Sequence, residues 1–145
     1  MALLRIASSY LRQARARLED ARDALAEENY PYAVRLSQEC VELSLKAVLK
    51  AVGIEYPKVH DVSDLLLEVR DRFPGWFRGE LEYLCESSRV LVKKREISLY
   101  GGEEALLSPE QVINRADAED ALARAERTYS SCKGVIDELR AGQGM

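Results

Sequence analysis

Apolar residues recur at alternating steps of three and four along most of the chain, which is the spacing of one face of an α-helix. This pattern predicts a first helix over residues 4–25, with Leu4, Ala7, Leu11, Ala14, Leu18, Ala21 and Leu25 on one stripe. Pro31 suits the first turn of a second helix, predicted from about Pro31 to Val52, because its missing N–H is not needed there. Gly53 is expected to end that helix.

The rest of the chain predicts three further helices and an interrupting loop. A short third helix is expected from Asp61 or Ser63 to the stop at Pro74-Gly75, and a fourth from about Trp76. Residues 96–107 lack a sustained period and predict a loop. The Ser108-Pro109-Glu110-Gln111 segment has the pattern of a capping box, so the last helix starts there or restarts at Asp117.

No stretch alternates apolar and polar residues as a half-buried strand does. The sequence therefore predicts an all-α fold, an up-and-down bundle of four main helices plus a short extra helix. A length of 145 residues fits one domain. We expect its core to span about residues 3–140 and residues 141–145 to form a flexible tail.

Composition and charge narrow the class of protein. Hydrophobic residues make up 47% of the chain and charged residues 32%, which is typical of a globular protein rather than a disordered one. A net charge of −4 argues against non-specific wrapping of nucleic acid but allows a local basic site. Cys40, Cys85 and Cys132 have no disulfide or zinc spacing. With no leader or membrane-spanning stretch, we expect a cytoplasmic protein without metal or cofactor.

Three polar residues could carry chemistry. Gln38 lies within the apolar stripe of the second helix, either as a buried residue that fixes helix register or as a ligand contact. Arg95 ends the apolar stripe of the fourth helix, where it either pairs with Glu42 or Glu96 or points into a cleft that accepts phosphate or carboxylate. His60 is the only histidine, and its simplest role is a hydrogen bond near the cap of the third helix.

The remaining charged residues give weaker signals. The polar strip of the second helix pairs Glu42 with Lys46 at a favourable spacing of four, and also holds Arg35, Glu39 and Lys50. A second group of cations, namely Lys93, Lys94, Arg5, Arg12, Arg15, Arg17 and Arg22, is interspersed with acidic residues and is typical of solvated helix faces. A weak RNA-binding surface is the alternative.

The segment Tyr32–Ala47, followed by Lys58-Val59-His60-Asp61, resembles the signature of HEPN domains, whose name stands for higher eukaryotes and prokaryotes nucleotide-binding. The likeness extends over about residues 3–140. It implies a helical bundle that often pairs as a homodimer and is frequently encoded beside a minimal nucleotidyltransferase, commonly as a prokaryotic toxin–antitoxin module. In nuclease members, an Arg and a His separated by four to six residues cleave RNA without metal.

The chain departs from that nuclease pattern, because Tyr100 stands where the histidine after Arg95 is expected. Tyrosine titrates near 10 and is a poor base at neutral pH. Tyr100 could instead orient a phosphate or be modified by the partner enzyme. The leading hypothesis is a non-catalytic, dimeric HEPN protein that binds a nucleotide, RNA or a nucleotidyltransferase, with Gln38, Glu42, Lys46, Arg95 and Tyr100 bordering its cleft.

Two alternatives remain open. One is an active metal-independent ribonuclease that uses Arg95 with Tyr100 or His60, and the other is a purely structural subunit. Dimerisation is also expected from the alanine-lined first helix and the broad apolar face of the second, because these surfaces exceed what one small core requires.

Overall fold

The apolar stripes of the sequence become the inner faces of four long helices. The computed structural model describes residues 2–143, and within this range no β-strand is present. The long helices are α1 (Ala2–Ala26), α2 (Tyr30–Ala51), α5 (Leu81–Tyr100) and α7 (Arg115–Gln143). Three short α-helices connect them, namely α3 (Ser63–Glu68), α4 (Gly75–Arg78) and α6 (Pro109–Val112). The third helix ends before the predicted stop at Pro74-Gly75 and is followed by a separate 3₁₀ turn at Arg70–Arg72. The predicted all-α fold is confirmed.

Side-chain pairs between helices establish the direction of each one. Arg17 meets Glu39 across the α1–α2 hairpin, and Gln38 of α2 meets Arg95 of α5. Lys94, late in α5, contacts Asp117 at the start of α7. Ser87, earlier in α5, accepts a hydrogen bond from Arg124, further along α7, so these two helices are antiparallel. α1 and α2 are antiparallel because only three residues join them, and the bundle has the predicted up-and-down arrangement.

The alanine stripe of α1 is used inside the chain. Ala7, Ala14 and Ala21 are fully buried in the hydrophobic core, where small side chains allow α1 to lie close to α2. The surface that the sequence offered to a second copy is thus covered by the chain's own helices. The alanine stripe therefore gives no support to a dimer, which stays a prediction.

The helix ends follow the turn residues of the sequence. Gly53 has a φ of +79°, and the backbone N–H groups of Gly53 and Ile54 donate to Lys50 and Leu49, which is a Schellman ending of α2. The predicted capping box is present at Ser108, whose backbone N–H donates to the Gln111 side chain at 2.8 Å. The helix that starts at this box, α6, has a single turn, and the last long helix, α7, starts separately at Arg115.

The structure corrects three boundaries. Trp76 belongs to a separate turn, α4, while the long helix starts at Leu81. Residues 96–100, predicted as loop, are helical, and α5 ends at Tyr100 because the next residue, Gly101, has a φ of +68° and a Cβ there would collide with the Leu107 carbonyl oxygen. Residues 141–143 of the predicted tail are helical, and residues 144–145 lie outside the described range.

Other expectations concern thiols and membranes. All three cysteines are buried and unpaired, and burial raises the pKa of the Cys40 thiol to about 12. No helix in the described part of the chain is both long and apolar enough to span a bilayer.

Candidate functional site

A two-lobed cleft lies between α2, α5 and the segment 52–62 that leads into α3. The polar lobe, about 230 Å³, is lined by Arg17, Glu39, Glu42, Leu43, His60 and Arg95. The aromatic lobe, about 330 Å³, is lined by His60, Val92, Arg95, Glu96, Leu99 and Tyr100. His60 and Arg95 belong to both lobes, so they stand at the junction of the cleft.

Gln38 is a buried residue that hydrogen-bonds to residues lining the cleft. Its side chain is almost fully buried, as its place within the apolar stripe of α2 predicts. Its Nε2 donates to Glu42 Oε1 at 3.0 Å, and its Oε1 accepts from Arg95 Nη1 at 2.8 Å. Gln38 is thus a hydrogen-bonded core amide, and it also holds two residues that line the cleft.

Arg95 is fixed by neighbours from α2. Besides Gln38, its Nη1 donates to Glu39 Oε2 at 3.1 Å. The carboxylate partner is therefore Glu39, and not Glu42 or Glu96 as the sequence suggested. The side chain is 20% exposed, so the charge is partly desolvated yet open to the cleft. The guanidinium retains N–H donors that an incoming anion can use.

Glu42, the second hydrogen-bond partner of Gln38, also contacts Lys46 and His60. Its Oε2 accepts from Lys46 Nζ at 2.9 Å, and its Oε1 lies 2.8 Å from His60 Nδ1. Burial alone would raise the pKa of Glu42, but hydrogen bonds from Lys46, Gln38 and His60 outweigh it and hold the pKa below its ordinary value. Glu42 is therefore an ionised anchor for a lysine and a histidine.

His60 does not make the cap contact that the sequence suggested. Asp61 supplies that contact, because its carboxylate accepts from the Ser63 backbone N–H and from the hydroxyls of Ser63 and Ser88. The imidazole instead turns to Glu42. Since an ionised carboxylate only accepts hydrogen bonds, Nδ1 is the donor in this contact, and Nε2 takes no part in it.

Tyr100 lies at the rim. It is the last residue of α5, lines the aromatic lobe and is 61% exposed. The structure thus places five of the six candidate residues in one hydrogen-bonded network or cleft junction, with Tyr100 at its edge.

Three charged residues of the cleft region were not selected from sequence. Glu39 accepts from Arg17 Nε at 3.3 Å and from Arg35 Nε at 3.2 Å, in addition to Arg95. The available signal was the position of Glu39 on the same polar strip of α2 as Glu42 and Lys46. With Lys46, four cationic side chains face two carboxylates, so the site is locally positive in a chain of net charge −4.

Comparisons with known proteins agree with the resemblance. The HEPN domain model matches residues 7–135. A protein of Methanocaldococcus jannaschii named "Putative toxin MJ1304" is 28% identical over 141 residues, which cover 93% of this chain and 91% of that protein.

Two crystal structures are similar in fold. An archaeal HEPN homologue, ST0689, is 27% identical with a TM-score of 0.70, covering 90% of this chain and 97% of the other. TT1696 from Thermus thermophilus has the same TM-score at 24% identity, covering 88% and 96%. The match of the family model over most of the chain, together with the shared bundle, shows that this protein belongs to the HEPN domain family.

Proposed function

We propose that this HEPN protein binds a phosphate group of a nucleotide or of RNA at the junction of the cleft, and that it acts by binding rather than as a self-sufficient enzyme. The observation that carries the proposal is the position of Arg95, a partly buried guanidinium held by Gln38 and Glu39 and open to both lobes. A planar guanidinium binds phosphate through paired hydrogen bonds and keeps its charge at any physiological pH.

The neighbouring residues have distinct roles in this proposal. Gln38 orients Arg95, and Glu42 orients His60 and Lys46. Tyr100, at the rim of the aromatic lobe, gives a base or sugar a flat surface on which to stack. A phosphate at Arg95 and a base in the aromatic lobe are then compatible with one ligand.

Calorimetric titration with the four ribonucleoside monophosphates and a short single-stranded RNA tests the proposal. We expect at least one to bind, and Arg95→Ala to weaken binding about 10- to 100-fold, because a hydrogen bond to a charged group contributes roughly 1.5–3 kcal/mol. Arg89→Ala is the matched control, since Arg89 lies on the same helix but pairs with Asp64 outside the cleft. Equal binding by both variants would contradict the proposal.

A homodimer and a nucleotidyltransferase partner, as in a toxin–antitoxin module, complete the proposed function. The name of the archaeal relative supports a toxin-like role. Exposed apolar side chains also gather at the end of α5 and in the following loop, namely Ile97, Tyr100, Leu106 and Leu107. Leu106 is 90% exposed and has a φ of +58°, an uncommon backbone conformation for leucine. This patch is the surface we assign to a second copy.

Light scattering tests the dimer. The wild type should have twice the chain mass of 16.3 kDa, and Leu106→Asp should shift it to the monomer because the charge would be buried without a partner. Leu3→Asp, at another exposed leucine far from the patch in sequence, should leave the mass unchanged. A wild-type monomer at micromolar concentration would exclude this interface.

A metal-independent ribonuclease is the second candidate, and the position of His60 favours it. With Nδ1 bound to Glu42, the Nε2 lone pair can take a proton from a ribose 2′-hydroxyl while Arg95 stabilises the charge on the phosphate. Incubation of the purified protein with single-stranded RNA and a chelator decides between the candidates. If the protein cleaves RNA, and His60→Ala abolishes the cleavage while Tyr100→Phe retains it, the protein is a ribonuclease and the binding role is wrong. If no RNA is cleaved, the binding role is supported.

A further inference from the structure

Three guanidinium groups meet at the carboxylate of Glu39, and only one of them is needed to neutralise it. Arg35 Nε and Arg95 Nη1 both lie within 3.2 Å of Oε2, and Arg17 Nε lies 3.3 Å from Oε1. The three come from different parts of the chain: α1, the first turns of α2, and α5. The group therefore carries two unbalanced positive charges in a small volume.

This surplus is not explained by helix packing alone. The Arg35–Glu39 pair follows from the spacing of four on α2, but Arg17 and Arg95 approach the same carboxylate from two other helices. Like charges this close repel one another, most strongly where they are partly desolvated, as Arg95 is. A second anion beside Glu39 would remove this repulsion, and the polar lobe, which Arg17 and Arg95 both line, leaves room for one.

We infer that Arg17, held beside Arg95 by Glu39 in the polar lobe, forms a second phosphate subsite, so that the ligand of this cleft carries a diphosphate group. The inference rests on the proposed function, in which Arg95 binds the first phosphate. Arg17 Nε and Arg95 Nη1 contact the two oxygens of one carboxylate, so they are close enough together to bind one diphosphate. Successive phosphates of an RNA strand are spaced more widely.

Glu39 acts in this arrangement as an internal substitute for the second phosphate. In the absence of a ligand, the Glu39 carboxylate holds the three arginines close together. A diphosphate that binds then competes with this carboxylate for their N–H donors. Glu39→Gln keeps an oxygen acceptor but removes the competing charge, so diphosphate binding should become tighter. A purely structural ion-pair network predicts the opposite, because loss of the charge would only loosen the arginines.

Titration with orthophosphate and pyrophosphate tests the subsite without assuming a base. The wild type should bind pyrophosphate at least about tenfold more tightly, and Arg17→Ala should remove most of that preference while it leaves orthophosphate binding nearly unchanged. Arg15→Ala is the matched control, since Arg15 is on the same helix and pairs with Glu19 at 3.0 Å, away from the cleft. Arg17→Met keeps the aliphatic stem and should behave as Arg17→Ala does.

The outcomes separate this inference from the proposed function. If orthophosphate binds through Arg95 but pyrophosphate is not preferred, or if Arg15→Ala and Arg17→Ala behave alike, the second subsite is overturned and the proposed function stands. If Arg95→Ala changes the binding of no phosphate compound, both fail. If a short RNA binds more tightly than a nucleoside diphosphate and depends on Arg17, the subsite serves an RNA backbone and the diphosphate assignment is wrong.

Discussion

Replacing Gln38 with leucine should destabilise the protein and disorder the cleft at the same time. Leucine matches the volume of glutamine closely enough to fill the space on α2, so the change removes hydrogen bonds without opening a large cavity. Arg95 Nη1 would lose its 2.8 Å acceptor, and Glu42 Oε1 would lose its 3.0 Å donor.

The magnitude follows from what each partner retains. A hydrogen bond to a charged group contributes roughly 1.5–3 kcal/mol, and a buried partner left unsatisfied adds a desolvation penalty. Arg95 keeps Glu39, Glu42 keeps Lys46 and His60, and both are exposed enough for water to replace part of the loss. We therefore expect the free energy of unfolding to fall by about 2–3 kcal/mol, less than the sum of two buried bonds.

Urea unfolding gives this number directly, followed by circular dichroism and by the fluorescence of the single tryptophan. Trp76 suits the purpose because its indole N–H donates to Glu138 of α7 at 2.8 Å and its ring packs over Gly134, contacts that unfolding removes. A loss of about 2–3 kcal/mol corresponds to a melting temperature lower by about 5–10 °C in a chain of this size.

Ser37→Ala is the control for this experiment. Ser37 is the neighbouring residue on α2 and is fully buried, but its hydroxyl has no hydrogen-bond partner among the described residues. Its removal should change stability by less than about 0.5 kcal/mol or increase it, because no hydrogen bond is lost. If Gln38→Leu is as mild as Ser37→Ala, the network around Gln38 does not hold the cleft together, and the reasoning is refuted.

Two further predictions concern acid stability and the anchoring of His60. The pKa of Glu42 is lowered by folding, so its stabilisation is present above the ordinary value of 4.5 and is lost as pH falls through the lower folded value. Glu42→Gln should flatten the loss of stability between about pH 5 and 3, and an unchanged acid slope in unfolding measurements would contradict this. Ser88 donates to Asp61 at 2.7 Å and so ties the residue next to His60 to α5. Ser88→Ala should shift the single histidine resonance in NMR spectra, whereas Ser87→Ala, which loses a contact to α7 instead, should leave it in place.

Helices whose apolar stripe is continuous could be predicted closely from the sequence. The prediction for α1 differs from the structure by two residues or fewer at either end, and α2 by one. The last turns of α5 were missed because they form a wall of the cleft. There Glu96, Ile97 and Tyr100 are exposed, so the period of three and four disappears although the backbone hydrogen bonds continue to Gly101.

Some residues of the candidate site could also be predicted from the sequence, and others could not. Gln38 could be predicted as a site residue because it is a polar amide within an apolar stripe. Lys46 could be predicted because it follows Glu42 by four residues on the same helix. Arg17 could not be predicted as a site residue, because its sequence context is that of a cation on a solvated helix face. Only the packing of α1 against α2 brings it to Glu39. The contact of His60 with Glu42 could not be predicted, because Asp61 rather than His60 makes the hydrogen bonds at the start of α3, and the two residues are adjacent in the sequence.

The partners of Arg95 are separated from it by 56 and 57 positions along the chain, which has a consequence for synthesis on the ribosome. The α1–α2 hairpin already contains Arg17, Arg35 and Glu39, so this part can form while the second half of the chain is still being translated. Arg95 joins it only after α5 has emerged and docked. A nascent or prematurely terminated chain would therefore carry Arg17, Arg35 and Glu39 without Arg95, and the phosphate binding proposed for Arg95 would begin only after α5 has docked.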